Sequence, residues 1–236
     1  LRLSKILGKP IFTTIEENVS DLNKINLTDS FGSQKIMKDY FANFNAVFGI
    51  TQHIIDNCQS LINIRNKPLF LGVDLKSYYY INKKVCSSII FVGSLIRRKR
   101  VDRFVKLAKL FPMLDFKIVG HGIEHENLIK LSTENVIFMG SRNHYEISEL
   151  FGNSELMFLP SESEGFPKVI LEAAAAGVAS IVYASYGANA WIENEKNGFI
   201  VSSFDEVVEL INKILVKPKL LQKVSKETKC LAQRFD

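Results

Sequence analysis

The chain has 236 residues, 47% hydrophobic and 23% charged, which is ordinary folded-protein composition and excludes a disordered or low-complexity chain. A formal net charge of +5 favours anionic partners: phosphorylated small molecules, acidic lipid headgroups or nucleic acid. Nucleic acid is the weakest of these, because the aromatics are not interleaved with Arg and Lys and no recognition-helix signature is present.

The first residue is Leu1, and no charged start, apolar stretch and small-residue cleavage site follow it, so no signal peptide is expected. The most apolar run, 169–184, is broken by Glu172 and Gly177 and falls short of the roughly 20 residues that span a bilayer. The expectation is a cytoplasmic protein, with peripheral contact to the inner face of a membrane as its closest approach to lipid. Cys58, Cys86 and Cys230 form no C-x-x-C pair and read as small buried hydrophobes of a reducing compartment. His121 and His125 share a helical spacing, but no third ligand lies near them; no metal site and no cofactor are expected.

Taken in chain order, residues 11–15 read as a strand, 34–44 as a helix and 46–50 as a strand. Thr51 is placed to cap a helix running to about residue 63, and 68–71 is a further short strand. The polar, Tyr-rich stretch 73–84 has no period and reads as a linker. From Ser87 the rhythm becomes regular. Apolar runs predict strands at 89–92, 116–119, 136–139, 156–159, 179–183 and 199–201. Amphipathic segments predict helices at 101–111, 124–131, 145–151, 168–176 and 204–215. This alternation predicts a Rossmann-like parallel sheet with helices on both faces over 85–236, preceded by a partial second α/β domain over 1–72.

In open parallel sheets ligands bind at the carboxyl ends of the strands. Four of the five loops there carry Gly93, Gly120, Gly140 or Gly187, where backbone can approach a ligand closely. The fifth, 160–167, carries the chemistry. Pro167 suits a first helical position, and neither Gly165 nor Phe166 offers a capping side chain. The amides of Lys168, Val169 and Ile170 are therefore expected to be open, an anion site suited to phosphate. Glu164 precedes this helix and Glu172 lies inside it. Helical side chains lean toward the N-terminus, so Glu172 is aimed back toward the mouth that Glu164 borders. A phosphate site flanked by two carboxylates suits a ligand with a diphosphate and sugar hydroxyls. A helix-start acid and an ordinary solvated Glu are the simpler alternative.

The segment from Pro160-Ser161 to Gly177 closely resembles the E-x7-E segment of the retaining family-four glycosyltransferases, which have the GT-B fold. Further pieces match in order. Phe91-Val92-Gly93 through Lys99 and Asp102 resembles the first donor-domain strand and phosphate loop. Ile118-Val119-Gly120-His121-Gly122 resembles the second strand and its turn, and Asn135 through Gly140 the third. Asn197-Gly198-Phe199-Ile200-Val201 resembles a late turn and strand, and Gly72-Val73-Asp74 the interdomain signature.

The resemblance implies a metal-independent enzyme that moves a sugar from a nucleotide-diphosphate donor to a glycan or lipid-linked acceptor. Glu164 would contact the transferred sugar and support charge at its anomeric carbon. Glu172 would hold the ribose hydroxyls, and Lys99 the diphosphate. Gly93, Gly165, Phe166, Lys168 and Val169 would line the donor pocket through their backbones, and Arg142 would border the base. Ser94 stands where the family carries Arg; Arg98 or Arg97 is near enough to compensate, although a solvated basic run is the alternative. Ala190 stands near a missing acid, and Glu16 where a His often follows. The family's further upstream strands are not found. The chain is therefore expected to be the donor half with the tail of the acceptor-binding half, able to bind donor but not to transfer it. An epimerase of GT-B fold and a non-catalytic nucleotide-sugar-binding module remain alternatives.

Overall fold

A computed structural model describes residues 9–15, 31–186 and 188–236, and the chain divides into two compact units: Leu1–Leu71 with Ser163–Phe166, and Gly72–Glu162 with Pro167–Asp236. In the first unit, β1 (Phe12–Ile15) pairs in parallel with β2 (Ala46–Gly49), in register from Phe12 opposite Ala46 to Ile15 opposite Gly49. Between them lies α1 (Gln34–Phe41), and after β2 comes α2 (Gln52–Cys58). Each helix starts on a hydroxyl: Ser33 accepts from the Ile36 N–H, and Thr51 from the Ile54 N–H. Met37, Val47, Ile50, Ile54, Ile55 and Cys58 form the buried centre.

Three expectations in this unit are corrected. The first helix ends at Phe41 rather than residue 44, because the Asn43 and Phe44 amides turn back to the Tyr40 and Phe41 carbonyls. The second helix stops at Cys58, because the Leu61 and Ile62 amides both turn back to the Cys58 carbonyl. The stretch 68–71 is no strand. Pro68 has no N–H to donate; the chain here touches β2 through a bridge between Arg65 and Phe48, a bond from the Arg65 N–H to the Val47 carbonyl and one from the Leu69 N–H to the Gly49 carbonyl. Residue 16 lies outside the described residues, as does the basic start of the chain through Gly8.

The second unit is a six-stranded parallel sheet. Its strands are β3 (Ser88–Val92), β4 (Asp115–Val119), β5 (Val136–Gly140), β6 (Leu156–Leu159), β7 (Ala179–Tyr183) and β8 (Phe199–Val201), in the order β5-β4-β3-β6-β7-β8. The helices are α3 (Val101–Leu110), α4 (His125–Leu131), α5 (His144–Gly152), α6 (Lys168–Ala175), α7 (Phe204–Val216) and α8 (Pro218–Gln233). Every residue of β3, β6 and β7 is buried, as expected of strands covered on both faces. Phe104 of α3 sits at the centre, its ring 5.2–6.3 Å from those of Phe91, Phe116 and Phe158. Strand order reverses between β3 and β6, and that reversal opens the crevice where ligands of such sheets bind.

The alternation predicted from residue 87 onward is present, each strand and helix within two residues of its expected ends. One helix escaped it. In α8 the buried stripe of Leu221, Val224, Ser225, Thr228, Leu231 and Ala232 includes two hydroxyl residues, which dilute the apolar period. The hydroxyls have a use. Ser225 accepts from the Lys83 N–H and donates to the Gly177 carbonyl, both at 2.7 Å, and the Tyr80 hydroxyl donates to the Ser225 carbonyl at 3.0 Å. Residues 73–84 are consequently a strap fastened within this unit rather than a free linker. The Ile81 N–H donates to the Ala176 carbonyl, and buried Lys83 caps the end of α5 through the Phe151 and Gly152 carbonyls. Gly177 has φ +82, and a Cβ there would lie 2.2 Å from the Ile81 carbonyl oxygen. A strap that bonds through backbone and polar tips has no hydrophobic period to read.

Candidate functional site at the carboxyl edge of the sheet

The loop after β3 is held by its neighbour. The Gly93 N–H donates to the Val119 carbonyl, Leu95 donates to His121, and Glu124 donates back to Leu95. Gly120 has φ +139, and a Cβ on it would sit 1.9 Å from the Gly93 carbonyl oxygen. Glycine at 120 is thus demanded by backbone meeting backbone rather than by a ligand, as the sequence had suggested. Gly187 lies outside the described residues.

Beyond Leu95 the chain makes a 3-10 turn, Arg97–Lys99, and then places Arg100 in left-handed backbone (φ 47, ψ 43) before α3 begins. Arg97 and Arg98 are exposed and Lys99 is half-buried. Arg100 grips Asp102 through Nε and Nη2, at 3.0 Å each, and donates from Nη1 to the Glu162 carboxylate at 2.6 Å. Burial raises the Asp102 pKa, but the hydrogen bonds and charge of Arg100 reverse this and hold it below the usual carboxylate value. The Glu162 N–H donates to the Arg98 carbonyl at 3.0 Å, and the Ser185 hydroxyl to the Glu162 carbonyl at 3.3 Å. Loops after β3, β6 and β7 therefore meet at Glu162.

At α6 the observed start differs from the expected one. Pro167 is the residue before the helix, with φ −72 and ψ 96, so its extended ψ delays the first helical position to Lys168. The Ile170 N–H donates to the Pro167 carbonyl at 2.9 Å, so this amide is not open. No side chain caps the helix, which leaves the Lys168 and Val169 amides without a side-chain acceptor. Lys168 is exposed and Val169 half-buried. Glu172, one turn on, is 8% exposed. Burial pushes its carboxyl pKa up against the opposing pull of His144, whose Nδ1 lies 4.0 Å from Oε1, and of Lys168. The Ser161 hydroxyl, fully buried at the end of β6, has no hydrogen-bond partner among the described residues.

Glu164, Gly165 and Phe166 fall in the first unit. Glu164 is buried, and the buried Phe166 ring stands 6.3 Å from that of Phe70. Arg142, proposed from sequence beside the base, follows β5 and pairs with Glu146 of α5 at 3.2 Å. The His121 and His125 rings lie 5.6 Å apart at a 40° tilt, and His125 meets Phe138 edge-on. Among the described residues no three His, Cys, Asp or Glu side chains gather where a metal ion could bind, and no helix is long and apolar enough to cross a membrane. Cys58 and Cys86 are buried, their thiols pushed up to about 11 and about 12 by desolvation, whereas Cys230 is exposed. Sequence reasoning missed the Arg100–Asp102–Glu162 cluster and His144. Arg100, Asp102 and Glu162 lie within stretches that resemble the family, but a pair 62 residues apart has no signature in spacing, and His144 lies in none of those stretches.

A six-stranded parallel sheet with this order reversal and helices on both faces has the architecture of the GT-B glycosyltransferases. The chain belongs to the family glycosyl transferases group 1, whose model matches residues 84–230. It is 30% identical over 160 residues to an uncharacterized glycosyltransferase of Haemophilus influenzae, covering 63% of this chain and 45% of that protein. It is 31% identical over 144 residues to the Escherichia coli UDP-Gal:alpha-D-GlcNAc-diphosphoundecaprenol alpha-1,3-galactosyltransferase, covering 55% and 36%. The chain thus spans under half the length of these curated relatives. Anabaena HepE, solved in complex with UDP and glucose, has the same fold, with a TM-score of 0.82 at 19% identity over 99% of this chain and 70% of that one. The C-terminal domain of a Francisella tularensis group 1 glycosyl transferase, LpcC, matches with a TM-score of 0.61 at 19% identity, over 69% of this chain and 97% of that domain.

Proposed function

We propose that this chain is the donor-binding part of a retaining glycosyltransferase, which moves a sugar from a nucleotide-diphosphate donor to a lipid-linked or glycan acceptor in surface polysaccharide synthesis. The observation that carries this is the start of α6: an uncapped pair of amides one turn before a buried carboxylate, on the sheet edge that also holds the Lys99 turn. The amides of Lys168 and Val169 would receive diphosphate oxygens. Lys99 and Arg98 would neutralise the charge that grows on the departing nucleoside diphosphate, so that no metal is required. Glu172 would accept from the ribose hydroxyls, Glu164 would face the transferred sugar, and Gly93, Gly165 and Phe166 would shape the donor pocket. The lipid-linked acceptor and a place at the inner membrane face rest on relatives whose names carry diphosphoundecaprenol substrates.

The test begins with a thermal-shift screen of UDP, GDP and their sugars, because a ligand that binds the folded state raises stability by mass action. Labelled donors and NMR of the product's anomeric configuration, on the full-length protein, then decide the reaction. Retained configuration in a transferred sugar supports the proposal. Inversion, epimerised donor, or binding without turnover would each replace it. Glu164→Ala should spare UDP and weaken UDP-sugar; equal losses for both ligands would remove Glu164 from the sugar. The second unit carries Lys99, Glu172 and the α6 start on its own core, and we expect these 236 residues to bind donor without transferring it.

A further inference from the structure

Arg100 is a bulky residue in backbone that suits glycine. Its φ of 47 and ψ of 43 lie in the left-handed region, where a Cβ crowds the following carbonyl. Such strain persists only where surrounding contacts hold it, and here the contacts are visible. The planar fork takes both oxygens of Asp102, in the first turn of α3, and the third donor takes Glu162 across the sheet edge. Two carboxylates on one guanidinium leave it no role as a further phosphate ligand. Its neighbours in the chain are Arg97, Arg98 and Lys99, and their turn is closed by bonds from the Lys99 N–H to Ile96 and from the Arg100 N–H to Arg97. Glu162 returns a backbone bond to the Arg98 carbonyl. The turn and Glu162 are thus joined twice, once through backbone and once through Arg100.

We infer that Arg100 is a positioning residue for the phosphate-binding turn: its side chain staples the Arg97–Lys99 turn to Glu162 and thereby sets the approach of Lys99 to the donor diphosphate. This rests on the assignment of Lys99 to the diphosphate given above. Lys99 carries the charge that meets the phosphate, and Arg100 carries the geometry. A glycine at 100 would make the backbone easier and the turn looser. Here an arginine accepts the harder backbone and gains an anchor.

The experiment uses the full-length protein, with UDP and GDP binding followed by calorimetry and donor turnover by kcat and KM. Arg100→Gly relaxes the strained backbone while removing the staple. It should keep the wild-type Tm or exceed it, yet lower kcat/KM roughly 10- to 100-fold, the scale on which small misplacements act. Arg100→Lys, which offers a point charge without the fork, should fall between wild type and Arg100→Gly. Glu162→Ala should lose affinity as Arg100→Ala does, and the double variant should be no worse than the poorer single, since both cut one link. Wild-type binding and turnover in Arg100→Gly, with Lys99→Ala impaired, overturns the staple while sparing the Lys99 assignment. Tighter UDP binding in Glu162→Ala overturns it too, because a released Arg100 would then be a phosphate ligand in its own right. If Lys99→Ala binds UDP and GDP as wild type does, the assignment of Lys99 fails and the staple falls with it.

Discussion

Helices α5 and α6 begin at the same edge of the same sheet, and they begin oppositely. At α5 the Asn143 side chain accepts from the Glu146 N–H at 3.0 Å, while the Glu146 carboxylate accepts from the Asn143 N–H at 2.9 Å. This reciprocal box closes the helix with its own residues. At α6 the corresponding place is held by Pro167, which has neither an N–H nor a side-chain acceptor. One start is closed by a reciprocal side-chain box, and the other has no side-chain cap. Under the proposed function, a phosphate would supply at α6 what Asn143 and Glu146 supply at α5.

The largest effect expected from breaking this contrast is at Glu172, which lies behind the open start. Glu172→Ala should weaken nucleotide binding by about 1.5–3 kcal/mol, the range for hydrogen bonds to a charged group. Unchanged affinity for UDP and GDP by calorimetry would sink the ribose role. The raised pKa adds a test with a definite sign. A carboxyl whose folded pKa lies above its unfolded one contributes stability below the unfolded value, and that stability is lost as pH rises through the folded value. At neutral pH, Glu172→Gln should therefore melt no lower than wild type while binding nucleotide less well. Ribose hydroxyls need the ionised form, so wild-type affinity should fall as pH drops through the raised pKa of Glu172.

Next comes the basic turn. Lys99→Ala should weaken UDP about tenfold, or about 1.4 kcal/mol, and leave uridine nearly untouched. Equal losses on nucleoside and diphosphate would make the turn a solvated surface. A smaller effect follows from exchanging the two helix starts. Asn143→Ala should destabilise the fold by about 1 kcal/mol with no loss of nucleotide affinity, whereas Pro167→Ser should add a cap of similar worth and weaken UDP. Urea melts with and without UDP read both. If Pro167→Ser leaves UDP affinity unchanged, the open start is not a phosphate site.

The legible parts of this molecule were those with a period or a local rule. Buried parallel strands appear as short apolar runs, and Thr51 announced its helix by the capping rule. The open start of α6 was also legible, because it needs only the absence of a cap. Its detail was not: whether Pro167 stands inside the helix or just before it depends on ψ, which the ring does not set. The strap 73–84 and α8 were obscured by polar residues that satisfy each other only after folding. Arg100 read as one more charge in a basic run. Its partners at 102 and 162 became visible only when β3 and β6 were side by side.

Arg142 gives the last and smallest prediction. The family resemblance implied that Arg142, just past Gly140, borders the base pocket. In the structure it pairs with Glu146 of α5 at 3.2 Å, both side chains more than a third exposed. An exposed pair at this spacing contributes only about 0.3–0.5 kcal/mol. Glu146 is already engaged in the box with Asn143, so loss of Arg142 leaves no buried charge unpaired. Arg142→Ala should then lower stability by no more than about 0.5 kcal/mol and leave the preference between UDP and GDP unaltered. Parallel calorimetric titrations of the two nucleotides settle it. A change in their affinity ratio would mean that Arg142 leaves Glu146 when nucleotide arrives, and that α5 is a base-reading element and not merely the closed counterpart of α6.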